Sequence, residues 1–298
     1  MPLSPESFPL LPNYNSGPAL RAFLEGRGLG IRKQWGQNFL INPRARKFIV
    51  DALEGETGSG VWEIGSGPGC MTAELLERGF RVTAFEIDPG FCSLLEELFM
   101  PLNKEGEVFT LIRGDAVKTW ETVPAGPYLL GNLPYTVAAV LLGGFIENGC
   151  FFKRMIVTVQ KEVALRMAAP PGSKNYSSIS VLCSSAYRIK PLMNLKGASF
   201  YPPPHVDSTV LCFERKNDPA QVPLFYPLVR ALFASRRKTV ANNLEHFSAL
   251  SGTMKKDMAA AALEQSGVPG EARAERLPPE AFAALAAVLE KYRGEKRT

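Results

Sequence analysis

The sequence predicts an α/β protein: a doubly wound, mostly parallel sheet with helices on both faces, followed by a small all-helical domain. Three observations predict it. Short apolar runs alternate with helical segments from Val61 to Phe213, and the first of these runs ends in a cluster of glycines. Several later runs close on an acidic residue or an asparagine. Beyond Asn217-Asp218-Pro219 only helical patterns remain. Strands alternating with helices at this spacing argue for parallel pairing through crossover connections.

The elements follow in order. Val61 to Gly65 reads as a strand running into glycines, with a helix over Met71 to Arg78. Phe80 to Phe85 is a second strand, leading to Glu86 and a turn at Asp88-Pro89-Gly90; a helix over Phe91 to Phe99 follows. Val108 to Ile112 is a third strand, closing at Gly114-Asp115. Tyr128 to Leu130 is a fourth, closing at Asn132-Leu133-Pro134-Tyr135. Met155 to Val159 is a fifth, followed by a helix through Met167. Strands over Tyr187 to Leu192 and Thr209 to Phe213 complete the sheet. Helices are expected over Leu224 to Ser235, Lys238 to Phe247, Lys255 to Gln265 and Pro279 to Tyr292. The expected division is a loose N-terminal extension over 1–20, the sheet domain over 21–218 and the helical domain over 219–298. Five prolines between Met1 and Pro18 are the reason for reading the first segment as loose.

Composition narrows the function classes. With 46% hydrophobic and 21% charged residues, the 298-residue chain can bury a core and is not a disordered polymer. The longest apolar run, Val137 to Ile146, falls well short of the ~20 residues a membrane span needs. No basic region followed by an apolar one marks a signal peptide, so a cytoplasmic protein without membrane contact is expected. A net charge of +5 permits nucleic-acid binding without requiring it. The five cysteines form no CxxC pair and the two histidines lie far apart, so neither a disulfide framework nor a metal site is expected.

Glu63-Ile64-Gly65-Ser66-Gly67-Pro68-Gly69 sits between a strand and a helix. Glycines there let the backbone turn tightly and approach a ligand at a helix N-terminus. Glu86 follows roughly 20 residues later at the end of the next strand, where a carboxylate can accept both hydroxyls of a ribose. The dinucleotide fingerprint spaces its glycines G-x-G-x-x-G, whereas this chain has G-x-G-x-G. The acidic Glu63 also suits a cationic ligand better than a phosphate. S-adenosylmethionine, with a sulfonium, an amine and no phosphate, fits this pattern, and Asp115 could accept from its adenine amine. A nicotinamide cofactor is the disfavoured alternative, and a chance glycine turn the bland one.

Asn132-Leu133-Pro134-Tyr135 suggests the second substrate. An exocyclic amine of adenine is a poor nucleophile, because its lone pair is delocalised into the ring. A site that methylates it should hold the N–H groups with acceptors; the Asn132 side-chain oxygen and the Leu133 carbonyl are two. Pro134 stiffens the loop, and Tyr135 offers a ring on which an extruded base can stack. No strong base is needed, because the amine loses its proton after transfer. The bland reading is an ordinary strand-end turn.

With these residues in place, the chain resembles the small-subunit ribosomal RNA adenine dimethyltransferase family from about Arg32 to the end. Lys33-Gln34-Trp35-Gly36-Gln37-Asn38-Phe39-Leu40 resembles the N-terminal motif, whose Asn and Leu contact the cofactor, here Asn38 and Leu40. The glycine turn with Gly65 and Gly67, then Glu86, Asp115 and the Asn132 loop, match in order and spacing. So do Gln160 to Ala164, Pro171 to Tyr176, Phe200 to Ser208 and Phe233 to Thr239. Arg236-Arg237-Lys238-Thr239 with Asn242-Asn243-Leu244 is similar to the small-subunit branch rather than the large-subunit resistance branch. Trp35 stands where a smaller residue is usual, and Met1 to Leu20 has no family counterpart.

The resemblance implies a Rossmann-like methyltransferase sheet that uses S-adenosylmethionine. It implies transfer to N6 of two adjacent adenosines in a hairpin loop near the 3′ end of small-subunit (16S) ribosomal RNA. The products are dimethyladenosines, and the partner is that RNA, within an assembling ribosomal subunit and with the enzyme a monomer. It also implies that Phe200 stacks on the target base opposite Tyr135, against the bland reading of core packing. Arg236, Arg237 and Lys238, with further basic residues such as Lys256, Arg273 and Arg276, read as phosphate contacts, or else as a solvated charge run. An assembly factor that acts by RNA binding alone is the rival from another class.

Overall fold

A computed structural model describes residues 10–32, 35–133, 137–217, 222–247 and 256–295. The chain runs α1 (Gly17–Glu25), β1 (Phe39–Leu40), α2 (Pro43–Asp51), β2 (Gly60–Ile64), α3 (Cys70–Glu77), β3 (Arg81–Glu86) and α4 (Pro89–Phe99). Then come β4 (Phe109–Arg113), α5 (Ala116–Thr119), β5 (Tyr128–Asn132), α6 (Ala138–Glu147), β6 (Arg154–Gln160), α7 (Lys161–Met167) and α8 (Ser178–Ala186). It closes with β7 (Tyr187–Leu195), β8 (Phe200–Tyr201), β9 (Ser208–Arg215), α9 (Phe225–Phe233), α10 (Val240–Leu244), α11 (Lys256–Ser266) and α12 (Pro279–Glu295).

Seven strands form one sheet in the order β4-β3-β2-β5-β6-β9-β7. The five from β4 to β6 are parallel, and β9 runs antiparallel to β6. Strands covered on both faces need apolar side chains on both, and Leu129, Leu130, Ile156, Val157 and Val159 are accordingly all buried. Beneath them Trp62 meets the rings of Phe85 and Phe152 at 4.9 and 5.4 Å. A separate ladder of two residues pairs β1 with β8 antiparallel, Phe39 opposite Tyr201 and Leu40 opposite Phe200. Sequence pattern alone cannot show that pairing, because each partner is only two residues long.

The N-terminal segment departs from the expectation of a loose extension. Residues 1–9 lie outside the description, but Ser16 caps α1 by accepting from the Ala19 amide at 3.3 Å, and Pro18 occupies the first turn. Proline is well suited to that position, where its missing N–H is no loss. Leu20 and Leu24 then enter the core. What read as a proline-rich tail is in part a helix start.

Contacts divide the chain into two compact units. One comprises Met1–Gly144, Cys150–Ala164 and Lys190–Glu214; the other comprises Phe145–Gly149, Leu165–Ile189 and Arg215–Thr298. The expected cut at Pro219 falls outside the described residues, and the second unit is larger than 219–298. It takes in α8, whose Val181, Leu182 and Cys183 are buried and which packs on α9 and α12. Packing, rather than chain order, assigns that helix. Within this unit Phe233 stacks on Phe282 with ring centroids 6.0 Å apart, and the Tyr176 hydroxyl donates to the Leu277 carbonyl at 2.9 Å. Asn243 is buried and donates to the Leu232 and Ser235 carbonyls, satisfying acceptors at the C-terminal end of α9.

Candidate active site at the switch point of the sheet

From β2 the chain moves outward through β3 to β4, then returns to lay β5 on the other side of β2. Where strand order reverses, the loops at the C-terminal ends diverge and leave a crevice for a ligand. Gly65 and Glu86 stand at the ends of β2 and β3, Asp115 just beyond β4, and Asn132 at the end of β5.

The glycine turn is left-handed three times, with φ of 75° at Gly65, 54° at Gly67 and 90° at Gly69. Side chains other than glycine are strained there. Space forbids them as well, since a Cβ at Gly67 would stand 2.8 Å from the Phe39 ring and one at Gly69 2.6 Å from Phe99. The turn's amides are already committed. Gly65 and Ser66 donate to the Phe85 carbonyl, Gly67 to Glu86 Oε2 at 2.7 Å and Gly69 to the Ser66 carbonyl; Pro68 has no N–H. A phosphate needs free amides at such a turn. From Gly65 to Gly69 every amide N–H is taken, which agrees with the reading from glycine spacing.

Glu86 is 5% exposed, and burial raises its pKa above the ordinary carboxylate value. Oε2 accepts from Gly67, and Oε1 accepts from the Asp88 amide at 2.8 Å. Each oxygen can accept twice, so capacity remains for ribose hydroxyls. The same bonds brace the turn, a role the sequence did not suggest. Ile87, the next residue, is 43% exposed, an apolar side chain left open beside this carboxylate. Its position within the turn after β3 hid it from sequence reading. Gln37 was also missed: its Nε2 donates to Asp88 Oδ2 at 3.0 Å. Asp115 caps α5 through Oδ1, which accepts from the Val117 amide at 3.0 Å, and Oδ2 has no partner among the described residues.

Asn132 is held by its amide: Nδ2 donates to the Asn38 carbonyl at 2.7 Å. That bond orients Oδ1 as an acceptor with no partner among the described residues. It also brings together two predicted residues 94 positions apart. Leu133 is buried, and its amide donates to the Thr158 carbonyl at 3.0 Å. Pro134 and Tyr135 lie outside the described residues.

Two expected contact residues are covered in this arrangement. Leu40 is buried in the core, with its carbonyl accepting from Arg46 at 3.1 Å, and Phe200 opposite it is 3% exposed. The short β1–β8 ladder turns both side chains inward, so the Phe200 ring has no open face here.

Glu63 also differs from expectation. It is 2% exposed beneath the turn, and Oε2 accepts from the Thr72 hydroxyl at 2.6 Å rather than facing a ligand. Burial pushes its pKa up from 4.5 to about 7. The folded protein therefore retains a proton that the unfolded chain releases, and stability falls as pH rises from about 4.5 to about 7. Glu63→Gln, which keeps an acceptor for Thr72 but does not titrate, should gain thermal stability relative to the parent as pH goes from 5 to 8. A difference in melting temperature that is constant across that range would contradict the assignment.

In the second unit, Arg236, Arg237 and Lys238 lie in the turn before α10, whose N-cap is Thr239, so the helix expected to begin at Lys238 begins two residues later, at Val240. Arg236 is exposed but ion-paired, donating to Glu275 Oε2 at 3.0 Å and to the Tyr176 carbonyl at 3.3 Å. Arg237 and Lys238 are exposed, and Lys238 Nζ stands 3.5 Å from His246 Nε2. Among the described residues no helix is long and apolar enough to cross a membrane.

Known proteins resemble this chain over most of its length. A ribosomal RNA small subunit methyltransferase A of Treponema denticola is 41% identical over 291 residues, covering 93% of this chain and 96% of that protein. The crystal structure of a dimethyladenosine transferase from Plasmodium falciparum superposes with a TM-score of 0.70 at 27% identity, covering 85% of this chain and 97% of that one. The 23S rRNA methyltransferase ErmE, at 22% identity and a TM-score of 0.60, shares the fold over 85% of this chain and 100% of its own. The family profile described as ribosomal RNA adenine dimethylase matches residues 28–291. With the glycine turn, its acidic partner and the Asn132 loop at one switch point, and with these likenesses over most of its length, the chain belongs to the ribosomal RNA adenine dimethylase family.

Proposed function

We propose that this enzyme transfers methyl groups from S-adenosylmethionine to N6 of two adjacent adenosines in a hairpin loop near the 3′ end of small-subunit ribosomal RNA. The observation that carries the proposal is Asn132. Its amide nitrogen is tied to the Asn38 carbonyl, so its oxygen is held as an acceptor beside a glycine turn whose own amides are already bonded. When bound, S-adenosylmethionine supplies an activated methyl group on a sulfonium centre.

The residues of this chain supply binding and aim. With the cofactor bound, Glu86 would accept from the ribose, Asp115 Oδ2 would accept from the adenine amine, and Ile87 would cover apolar ring surface. Gly65, Gly67 and the Asn38–Leu40 segment border the rest of the cofactor. Asn132 Oδ1 and the Leu133 carbonyl hold the N–H groups of the target amine with its lone pair toward the methyl. Pro134 and Tyr135 shape and floor the base site. Stacking by Phe200 requires its ring to leave the core, where it lies in this structure. After transfer the amine is cationic and its proton goes to water, so no side chain serves as a strong base. Orientation of this kind can contribute ~7–11 kcal/mol to lowering a barrier.

The relatives named for the small-subunit RNA favour that substrate over the large-subunit one. The direct test is mass spectrometry of ribosomal RNA from cells lacking this chain. Dimethyladenosine should vanish from small-subunit RNA alone; its retention there, or its loss from large-subunit RNA, would refute the proposal.

Arg237 and Lys238, which carry no ion pair among the described residues, are better placed than Arg236, paired with Glu275, to grip RNA phosphates. Each phosphate contact releases condensed counterions, so losing one flattens the plot of log affinity against log salt by roughly 0.7–0.9. Arg237→Ala/Lys238→Ala should show that flattening and weaken all RNAs alike, since phosphate contacts do not read bases. Slopes identical to the parent's would mark the pair as a solvated run.

A further inference from the structure

The glycine turn is tethered from outside the family's matched region. Tyr14, 7% exposed, donates its hydroxyl to the Pro68 carbonyl at 2.7 Å. Pro68 stands between two left-handed glycines, and a Cβ on Gly69 would meet that same hydroxyl at 3.2 Å. Tyr14 is itself fixed. Arg46, 6% exposed on α2, donates through Nη1 to the carbonyls of Tyr14 and Leu40, and through Nη2 to Asn15 Oδ1 at 2.6 Å. One buried guanidinium thus links the tyrosine to β1, the strand that follows Asn38. Burial also holds the phenol pKa well above its usual range, so Tyr14 remains a donor beside Glu63, Cys70 and Arg46.

A turn with three left-handed glycines has unusual backbone freedom, and a ligand that needs one conformation binds in proportion to the fraction already in it. We propose that Tyr14 is a positioning residue for the cofactor, its hydroxyl holding the Pro68 carbonyl so that the glycine turn is preset in its binding conformation. This rests on the reading of the turn as an S-adenosylmethionine site. The N-terminal segment is then a working part of that site, although the family profile begins only at residue 28.

Tyr14→Phe removes the hydroxyl and little else. A single neutral hydrogen bond predicts a rise in Kd of roughly three- to tenfold, for S-adenosylmethionine and S-adenosylhomocysteine alike. KM for the cofactor should rise with it, while kcat at saturating cofactor and RNA affinity stay at the parent's values. The full chain is used, with calorimetric titration as the primary readout. Phe80→Leu serves as the control: Phe80 stands just before β3, at the end of that strand away from Glu86, is packed on Tyr128, and its truncation should lower stability without touching the turn.

A larger loss of cofactor affinity in Tyr14→Phe than in Phe80→Leu, with kcat kept, supports positioning. Parent-like affinity, or a loss no greater than that of the control, overturns it and leaves Tyr14 a packing residue. A parent that binds neither ligand removes the cofactor reading itself, an outcome distinct from either.

Discussion

Asn132→Ala should slow methyl transfer by roughly 10²- to 10³-fold, the loss typical when one preorganised polar group is removed from a reacting centre. Two things disappear together: the oxygen that accepts from the target amine, and the amide that ties the loop to the Asn38 carbonyl at 2.7 Å. Single-turnover rates are the proper measure, because slow product release would hide a chemical defect in steady state. Cofactor affinity should change far less than the rate. Asn132→Asp sharpens the test, since a carboxylate keeps an acceptor but cannot donate to Asn38. Its rate should also be low if the tether orients the acceptor. Rates within a few-fold of the parent in both variants would remove Asn132 from the chemistry.

Glu86→Ala should weaken S-adenosylmethionine binding by about ten- to a hundredfold. A hydrogen bond to a charged group contributes ~1.5–3 kcal/mol, which sets that range. The structure adds a second reason for a loss at the upper end: the same carboxylate braces the Gly67 and Asp88 amides. Glu86→Gln separates the contributions, because its one carbonyl oxygen can accept from only one side of that brace. Calorimetry showing parent-like affinity in Glu86→Ala would sink the ribose assignment.

The sheet was legible because β2, β5 and β6 are buried along nearly their whole length and β2 to β5 each end near a turn residue with a physical role. Gly65, Glu86, Asp115 and Asn132 were legible for the same reason, since strand ends in a parallel sheet all point to one edge. What pattern could not show was contact across long separations. Tyr14 on Pro68, Arg46 on Leu40 and β1 on β8 each join short segments whose local sequence carries no period. Helix α8 escaped because its Ser-rich stretch mimics a loop, although Ser177 and Ser180 form a reciprocal cap at its start. Phe200 and Leu40 illustrate a different limit. A motif gives the order of residues along the chain, but the inward turn of a two-residue ladder decides which of them meet solvent.

The saturated glycine turn bears on competition inside a cell. Phosphorylated nucleosides share the adenine and ribose that Glu86 and Asp115 are proposed to hold, and they are abundant. Their extra affinity at open sheets comes from amides directed at the phosphates. Here those amides already bond to Phe85, Glu86 and Ser66. A phosphate at this turn would lose its water and meet the nearby carboxylate of Glu86, with no bond from these amides to offset either. How the loop bonds to itself thus withholds the turn's own amides from a phosphate, before any contact with a ligand is made.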